Sequence, residues 1–343
     1  MKAETRASII AVAFCGLIAV LALAGADLPV IERIGPLAAA LLLGLVCRVL
    51  FRPPETARAR IDFAARNLLR LGIVLLGVRL NFELIAQTGW QILLLDFTVV
   101  AVGFSAVICV ARCFGLSGAL SCLIAVGTSL CGSSAIAATA PAIGARDDEA
   151  SLAIVLGSLI GTATMLSLSC AQSFLHLHPH GYGLLAGSTL QELAQVMAAV
   201  VAEPNSIELG TATKLLRVVL VVPFVFLLAA WARGKASGKA PKGNPALMPR
   251  FPKPWFVLGF LVVALLNSLA LQLVPDAHLA MLSYDRAVLT IATFLLAMAM
   301  AGFGLQVDFS RLRANGRAAI VALIGSIVIF AAAAAELRFM RFF

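Results

Sequence analysis

The chain has 343 residues, of which 61% are hydrophobic and only 13% are Asp, Glu, Lys or Arg, with a mean hydropathy of +1.01. Soluble domains carry roughly a quarter charged residues and about half apolar ones, so this composition excludes a disordered chain, a secreted disulfide scaffold and an ordinary cytosolic enzyme, and leaves an all-α polytopic membrane protein. The net charge of +9 calls for no nucleic acid, because Lys and Arg collect in the cytoplasmic loops of membrane proteins.

Apolar runs bounded by charge, Pro or Gly predict about 11 transmembrane helices. In chain order they cover 7–26, 34–51, 65–80, 90–113, 118–143, 149–174, 182–202, 211–232, 254–274, 286–306 and 316–336. The first follows Lys2 and Arg6 and ends in Ala24-Gly25-Ala26, as cleaved signal peptides do; its apolar run from Ile9 to Ala26 is long enough to span, which favours a retained helix. With every run crossing and the N-terminus inside, basic residues favour the inside by about two to one, and the two richest loops, around Arg48–Arg66 and Arg233–Lys253, share that side. On this count Lys214 and Arg217 belong to an outside loop. The run 182–202 is read as crossing, since a re-entrant segment there would move the basic loop Arg233–Lys253 outside. The expected location is the inner membrane, multi-pass. The Pro-, Gly- and Lys-rich stretch 233–254 reads as a solvated cytoplasmic linker.

Weak internal matches suggest a repeat. Asn67-Leu68-Leu69-Arg70 resembles Lys214-Leu215-Leu216-Arg217, Gly35–Ala38 resembles Gly183–Ala186, and Ile154–Ser158 echoes Ile320-Val321 and Gly325-Ser326. These pair span two with seven, three with eight and six with eleven. The division is then a leading helix at 1–33, a first five-helix repeat at 34–174 and a second at 175–343. An odd number of spans per copy makes the repeat inverted, a construction common in secondary transporters. A competing match sets Gly77-x-x-Leu80, Phe82, Ile85 and Gly89 against Gly302-x-x-Leu305, Phe309, Leu312 and Gly316; it leaves no complete second copy and ranks lower.

In such transporters the site is marked by interrupted helices at corresponding positions. The fifth span, Gly127–Pro141, contains Thr128, Ser129, Gly132, Ser133, Ser134 and Thr139 at mid-membrane depth, a poor unbroken helix. A break at Gly132 puts free N–H groups, the Ser133 and Ser134 hydroxyls and a positive dipole end at one place, which suits an oxyanion. The tenth span offers a second break at Gly302 and Gly304. Close packing of small residues is the competing reading for both. Gln191 and Glu192 lie on the polar face of the seventh span, where Glu192 suits a coupling proton or cation and equally a rim ion pair. Asp96 reads as shallow and structural, and Arg70 as snorkelling rather than neutralising an anion. His176, His178 and His180 read as a solvated loop rather than a metal site, and Asp147-Asp148-Glu149 as dipole complements of a first helical turn. The seven cysteines sit in apolar runs without zinc or disulfide spacing. No metal and no cofactor are expected.

Gly127–Pro141 (GTSLCGSSAIAATAP), Gly187–Ala199 (GSTLQELAQVMAA) followed by Lys214–Arg217, and Ala297–Leu305 (AMAMAGFGL) together resemble the YeiH-like integral membrane proteins, also called the sulfate exporter family. The resemblance covers nearly the whole chain. It implies similarity to the sodium/proton antiporter and bile-acid symporter superfamily, with two discontinuous helices that cross between inverted repeats, Ser133 and Ser134 at the crossing and Gly302 opposite. Family members usually carry His where this chain has Gln191, and Gln cannot titrate.

The expected function is secondary transport of a small inorganic or organic anion, with sulfate or a sulfonate as candidate, by alternating access. No G-x-x-x-x-G-K-[ST] motif is present. Expected partners are the lipid bilayer, the anion and a coupling proton or sodium ion, with a homo-oligomer allowed. The alternatives are a cation/proton antiporter of the same fold and an intramembrane lipid-modifying enzyme. The latter lacks a second acidic cluster to pair with Asp147-Asp148-Glu149.

Overall fold

The computed structural model describes residues 2–28, 31, 35–51, 55–80, 82–175, 177–235, 255–273, 278–306 and 315–340. Among these the regular structure is entirely helical. The α-helices are α1 (Lys2–Ala24), α2 (Pro36–Phe51), α3 (Glu55–Leu76), α4 (Phe82–Cys113), α5 (Gly118–Ser129), α6 (Ser133–Ile143), α7 (Asp147–Leu175), α8 (Pro179–Thr189), α9 (Leu193–Val200), α10 (Ile207–Lys235), α11 (Trp255–Leu273), α12 (His278–Gly304) and α13 (Gly316–Phe339). His176, most of the linker 233–254, and Phe309 and Leu312 of the competing self-match lie outside the described residues.

Helix length separates two kinds of element. At 1.5 Å per residue, the 32 residues of α4, the 29 of α7 and the 29 of α10 exceed the ~30 Å of a hydrocarbon layer. The 12 residues of α5, 11 of α6, 11 of α8 and 8 of α9 reach about halfway. Both interrupted segments therefore cross only if their halves run on in line, and the contacts at their bases exclude that. The Ser117 hydroxyl, just before α5, hydrogen-bonds the carboxylate of Glu149, in the first turn of α7. A straight 118–143 would hold those residues on opposite faces. Likewise Gln172, near the end of α7, donates to Glu203, beyond α9, at 3.2 Å. Each interrupted segment is a re-entrant helical hairpin: α5–α6 enters from the face where α7 begins, and α8–α9 from the face where α7 ends.

Helix α10 confirms the directions. Its first half packs along α8, with Gly183 against Gly210 and Gly187 against Thr213. Its second half packs along α6, where Ala135, Ala138, Val221 and Val225 share one apolar cluster. The two hairpins thus meet tip to tip at mid-depth on α10. This corrects two sequence expectations together, the crossing of 118–143 and the crossing of 182–202. A single re-entrant segment would have moved the basic linker to the other side; two leave it in place. Among the described residues Lys2, Arg6, Arg48, Arg58, Arg60, Arg66, Arg112, Arg146, Arg233, Lys235 and Arg317 lie toward one face, and Arg79, Arg286 and Arg338 toward the other. The charge asymmetry is sharper than the all-crossing reading allowed, because Arg146 changes sides and Lys214 and Arg217 leave the loops.

The helices form two packed groups. In the first, α12 lies against α1, α2 and α3, and α11 lies against α3. Gly44 against Ala301 and Gly72 against Leu296 let these backbones approach closely. In the second, α4, α7, α10 and α13 surround the hairpins, with Gly103 against Ile329 and Gly325 against Val107 joining α4 to α13 in antiparallel fashion. The outer surface is apolar, with Leu21, Leu50, Phe97, Leu227 and Leu266 more than half exposed, as a lipid-facing belt requires.

Candidate functional site

The two tips break the helix by different means. Gly132 takes φ +63° and ψ −132°, a conformation that needs glycine, and its missing Cβ would lie 2.6 Å from Glu192 Cγ on the opposing tip. Leu190 and Glu192 are simply extended. Because each hairpin runs in and back, four helix ends converge at mid-depth. The carbonyl ends of α5 and α8 lie on one side of the junction, and the N–H ends of α6 and α9 begin on the other.

Lys214 fills the carbonyl side. Its Nζ donates to Leu130 O at 3.0 Å and Leu190 O at 2.5 Å, one carbonyl from each tip, and the side chain is fully buried. One turn along α10, Arg217 donates to Ser188 O at 2.6 Å and pairs with Asp96 of α4, both residues at 0% exposure. The i, i+3 spacing of Lys214 and Arg217 places both on the helix face that meets the tips. This corrects the assignment of Lys214 and Arg217 to an outside loop and of Asp96 to a shallow position. The sequence signal was present: ionisable residues inside an apolar run, which default to function or to mutual pairing.

The N–H side opens into a cavity of about 140 Å³. Its lining includes Ser133 and Ser134 at the start of α6, Glu192 and Leu193 at the start of α9, and Arg66 and Arg70 on α3. Val221 and Val222, two turns past Lys214 toward the basic face, and Phe256, at the basic-face end of α11, set it on that side of the tips. The cavity lies at the seam between the two helix groups. Arg66 is held by Asp62 at 2.7 Å. Arg70 makes no ion pair among the described residues and lines the cavity rather than snorkelling away from it.

Family comparison fixes what kind of chain this is. The family described as Conserved hypothetical protein 698 matches residues 9–323. Two relatives from Bacillus cereus, each named UPF0324 membrane protein, are 36% identical over 91% of this chain, covering 86% and 88% of their own lengths. The chain belongs to this family. A further member, UPF0324 membrane protein blr3189 of Bradyrhizobium diazoefficiens, is 37% identical over 90% of this chain and 87% of its own length. This bears out the family resemblance carried by Gly127–Pro141 and the accompanying motifs, and makes the chain a multi-pass membrane protein. The sodium/proton antiporter MjNhaP1 of Methanocaldococcus jannaschii aligns over 92% of this chain and 98% of its own at a TM-score of 0.31 and 12% identity, too distant to assign anything here.

Within this UPF0324 chain the predicted site residues divide. Ser133, Ser134 and Glu192 meet in the cavity and Gly132 shapes it. Gln191 points away, donating to Ser326 Oγ of α13 at 2.7 Å, and Gln195 secures the same tip by donating to Ser158 O of α7 at 3.3 Å. Thr128 turns back onto its own helix, donating to Ile124 O at 2.8 Å, and Ser129 lies buried against Gly103 of α4. Gly302 and Gly304 are corrected outright. Helix α12 is continuous to Gly304, Gly302 packs on Ala65, and Gly304 packs on the backbone of Gly44, so the small-residue packing reading holds there. The partner of the first tip is Gln191-Glu192, not Gly302. Among the described residues no three His, Cys, Asp or Glu side chains converge as a metal site. His178 and His180 stack edge to face at 5.0 Å, and burial together with the neighbouring ring lowers the His180 pKa. Glu149, read as a dipole complement, also closes the base of the first hairpin through Ser117.

Proposed function

We propose that the protein is a secondary transporter of a small anion, which binds in the cavity at the two hairpin tips and moves by alternating access. One observation carries the reading: the start of α6 with Ser133 and Ser134 and the side chain of Arg70 line the same mid-depth cavity, while the start of α9 is closed by the reciprocal Glu192–Gln195 cap and the Ser134 hydroxyl at rest donates to Cys131 O at 3.1 Å. N–H groups at a helix start and hydroxyls that can turn toward a ligand suit an oxyanion, and a guanidinium adds charge-assisted hydrogen bonds. Sulfate or a sulfonate has the right size and charge. The basic face is taken as cytoplasmic, with the N-terminus on that side of the inner membrane, so the cavity opens inward.

The helix directions support an inverted repeat in a permuted order. Run face to face, α2, α3, α4, hairpin α5–α6 and α7 are matched in reverse direction by α11, α12, α13, hairpin α8–α9 and α10. The second hairpin and α10 precede their group in the chain instead of following it. This pairing accommodates the match of Gly77–Gly89 with Gly302–Gly316, which joins α3–α4 to α12–α13, and is an alternative to the division at 34–174 and 175–343.

A cation/proton antiporter is the second reading, favoured by Glu192 in the same cavity. Uptake of labelled sulfate and other anions into proteoliposomes, with and without pH or sodium gradients, separates the two. Anion accumulation is expected; movement of a cation alone under every gradient would overturn the proposal. Glu192→Gln is expected to keep anion binding and lose gradient coupling.

A further inference from the structure

We infer that Lys214 is a built-in cation at the junction of the two hairpins, and that this junction consequently takes no sodium ion. The inference concerns the tips of the proposed transport site but not its substrate.

In a pair of opposed half-helices the carbonyl ends form the natural cation position, because the last carbonyls of each helix lack partners and carry the negative end of the dipole. Here those carbonyls belong to Leu130, which caps α5, and Leu190, which caps α8. Both are taken by one Nζ, at 3.0 and 2.5 Å. Lys214 arrives from α10, a third element, so its ammonium ties the two tips to each other and to the helix along which both pack. The titratable and charged groups around it come from every neighbouring element: Arg217 on α10 itself, Asp96 on α4, Glu192 on the second tip and the neutral Cys131 thiol on the first. Asp96 is engaged by Arg217, and Lys214 makes no ion pair among the described residues. Its counter-charge is the pair of carbonyls, which would supply only part of the oxygen shell of a sodium ion. A dehydrated sodium ion and a lysine ammonium cannot share that space.

The test uses the purified full-length protein in detergent and follows its melting temperature as sodium chloride replaces choline chloride at constant chloride. The wild type is expected to show no sodium-dependent shift. Lys214→Ala, which frees both carbonyls and leaves room for an ion, is expected to melt lower in choline and to rise by about 2–4 °C at sodium tenfold above its Kd. Lys214→Ser, which adds a hydroxyl oxygen to the vacated position, serves if the alanine variant does not fold. A sodium shift in the wild type would overturn the inference, as would a folded Lys214→Ala or Lys214→Ser that ignores sodium. If neither variant folds, the wild type decides alone: calorimetric titration of sodium chloride against choline chloride that gives no saturable heat upholds the inference, and saturable sodium binding overturns it. The melting readout involves no transported anion, so a failed substrate assay and a failed sodium prediction remain distinguishable.

Discussion

Hairpin α5–α6 turns on a glycine with positive φ and leaves Ser133, Ser134, Ala137 and Pro141 partly or fully uncovered, whereas hairpin α8–α9 turns on extended residues and buries everything from Gly181 to Gln191 and from Ala194 to Val200. The second tip is also tied down from both sides, Gln191 to Ser326 and Gln195 to Ser158. The first tip is held through its backbone by Lys214 and otherwise faces the cavity. Two elements of similar design and opposite entry are thus used as a fixed floor and an open wall.

The largest effect is expected where the floor is anchored by charge. Asp96→Ala strands Arg217 at 0% exposure, and breaking a buried pair costs about 3–5 kcal/mol. Melting and expression of the variant should both fall sharply, and Asp96→Ala combined with Arg217→Leu should recover part of the loss. On the open wall, Ser133→Ala with Ser134→Ala removes the bond from the Ser134 hydroxyl to Cys131 O, should lower stability by no more than about 1.5 kcal/mol and should weaken anion binding by about tenfold or more, since a hydrogen bond to a charged group contributes about 1.5–3 kcal/mol. Titration calorimetry or thermal shift with sulfate checks this, and an unchanged affinity would remove the hydroxyls from the site.

Gly132→Ala tests the turn itself. It adds a Cβ 2.6 Å from Glu192 Cγ in a strained backbone region, for about 1–3 kcal/mol. Gly144, at φ +67° with no atom within 4 Å of an added Cβ, provides the control at about 1–2 kcal/mol with no effect on transport. Smallest in stability is Gln191→His, which keeps a donor toward Ser326. It should add a titration near pH 6.5 to the uptake profile, and a pH profile identical to that of the wild type would exclude coupling between this position and the cavity.

Membrane class, helix content and the first tip were legible in the sequence, because apolar run length and a Gly-Ser-Ser break are local signals. The path of 118–143 was not. A 26-residue apolar run with a glycine reads equally as a kinked crossing or a folded-back hairpin, and the contact that decides, Ser117 to Glu149, links residues outside the run. The positive-inside count could not arbitrate, since two re-entrant segments cancel. Gly302 and Gly304 looked like a second break because glycine serves close packing and helix interruption alike, and only the neighbouring backbone at Gly44 tells them apart. Lys214 and Arg217 were visible as charges but misplaced with the hairpin that precedes them. The permuted order proposed for the second half would account for the match of Gly77–Gly89 with Gly302–Gly316 lacking a linear copy.

The opposed hairpins make one prediction that crossing helices reverse. In a variant without its native cysteines, Arg146→Cys, at an exposed position just before α7, should react with a membrane-impermeant maleimide only from the side that also labels the basic linker, and His178→Cys only from the other side. Labelling of position 146 from the side opposite the linker would contradict the re-entrant hairpins and the site built at their tips.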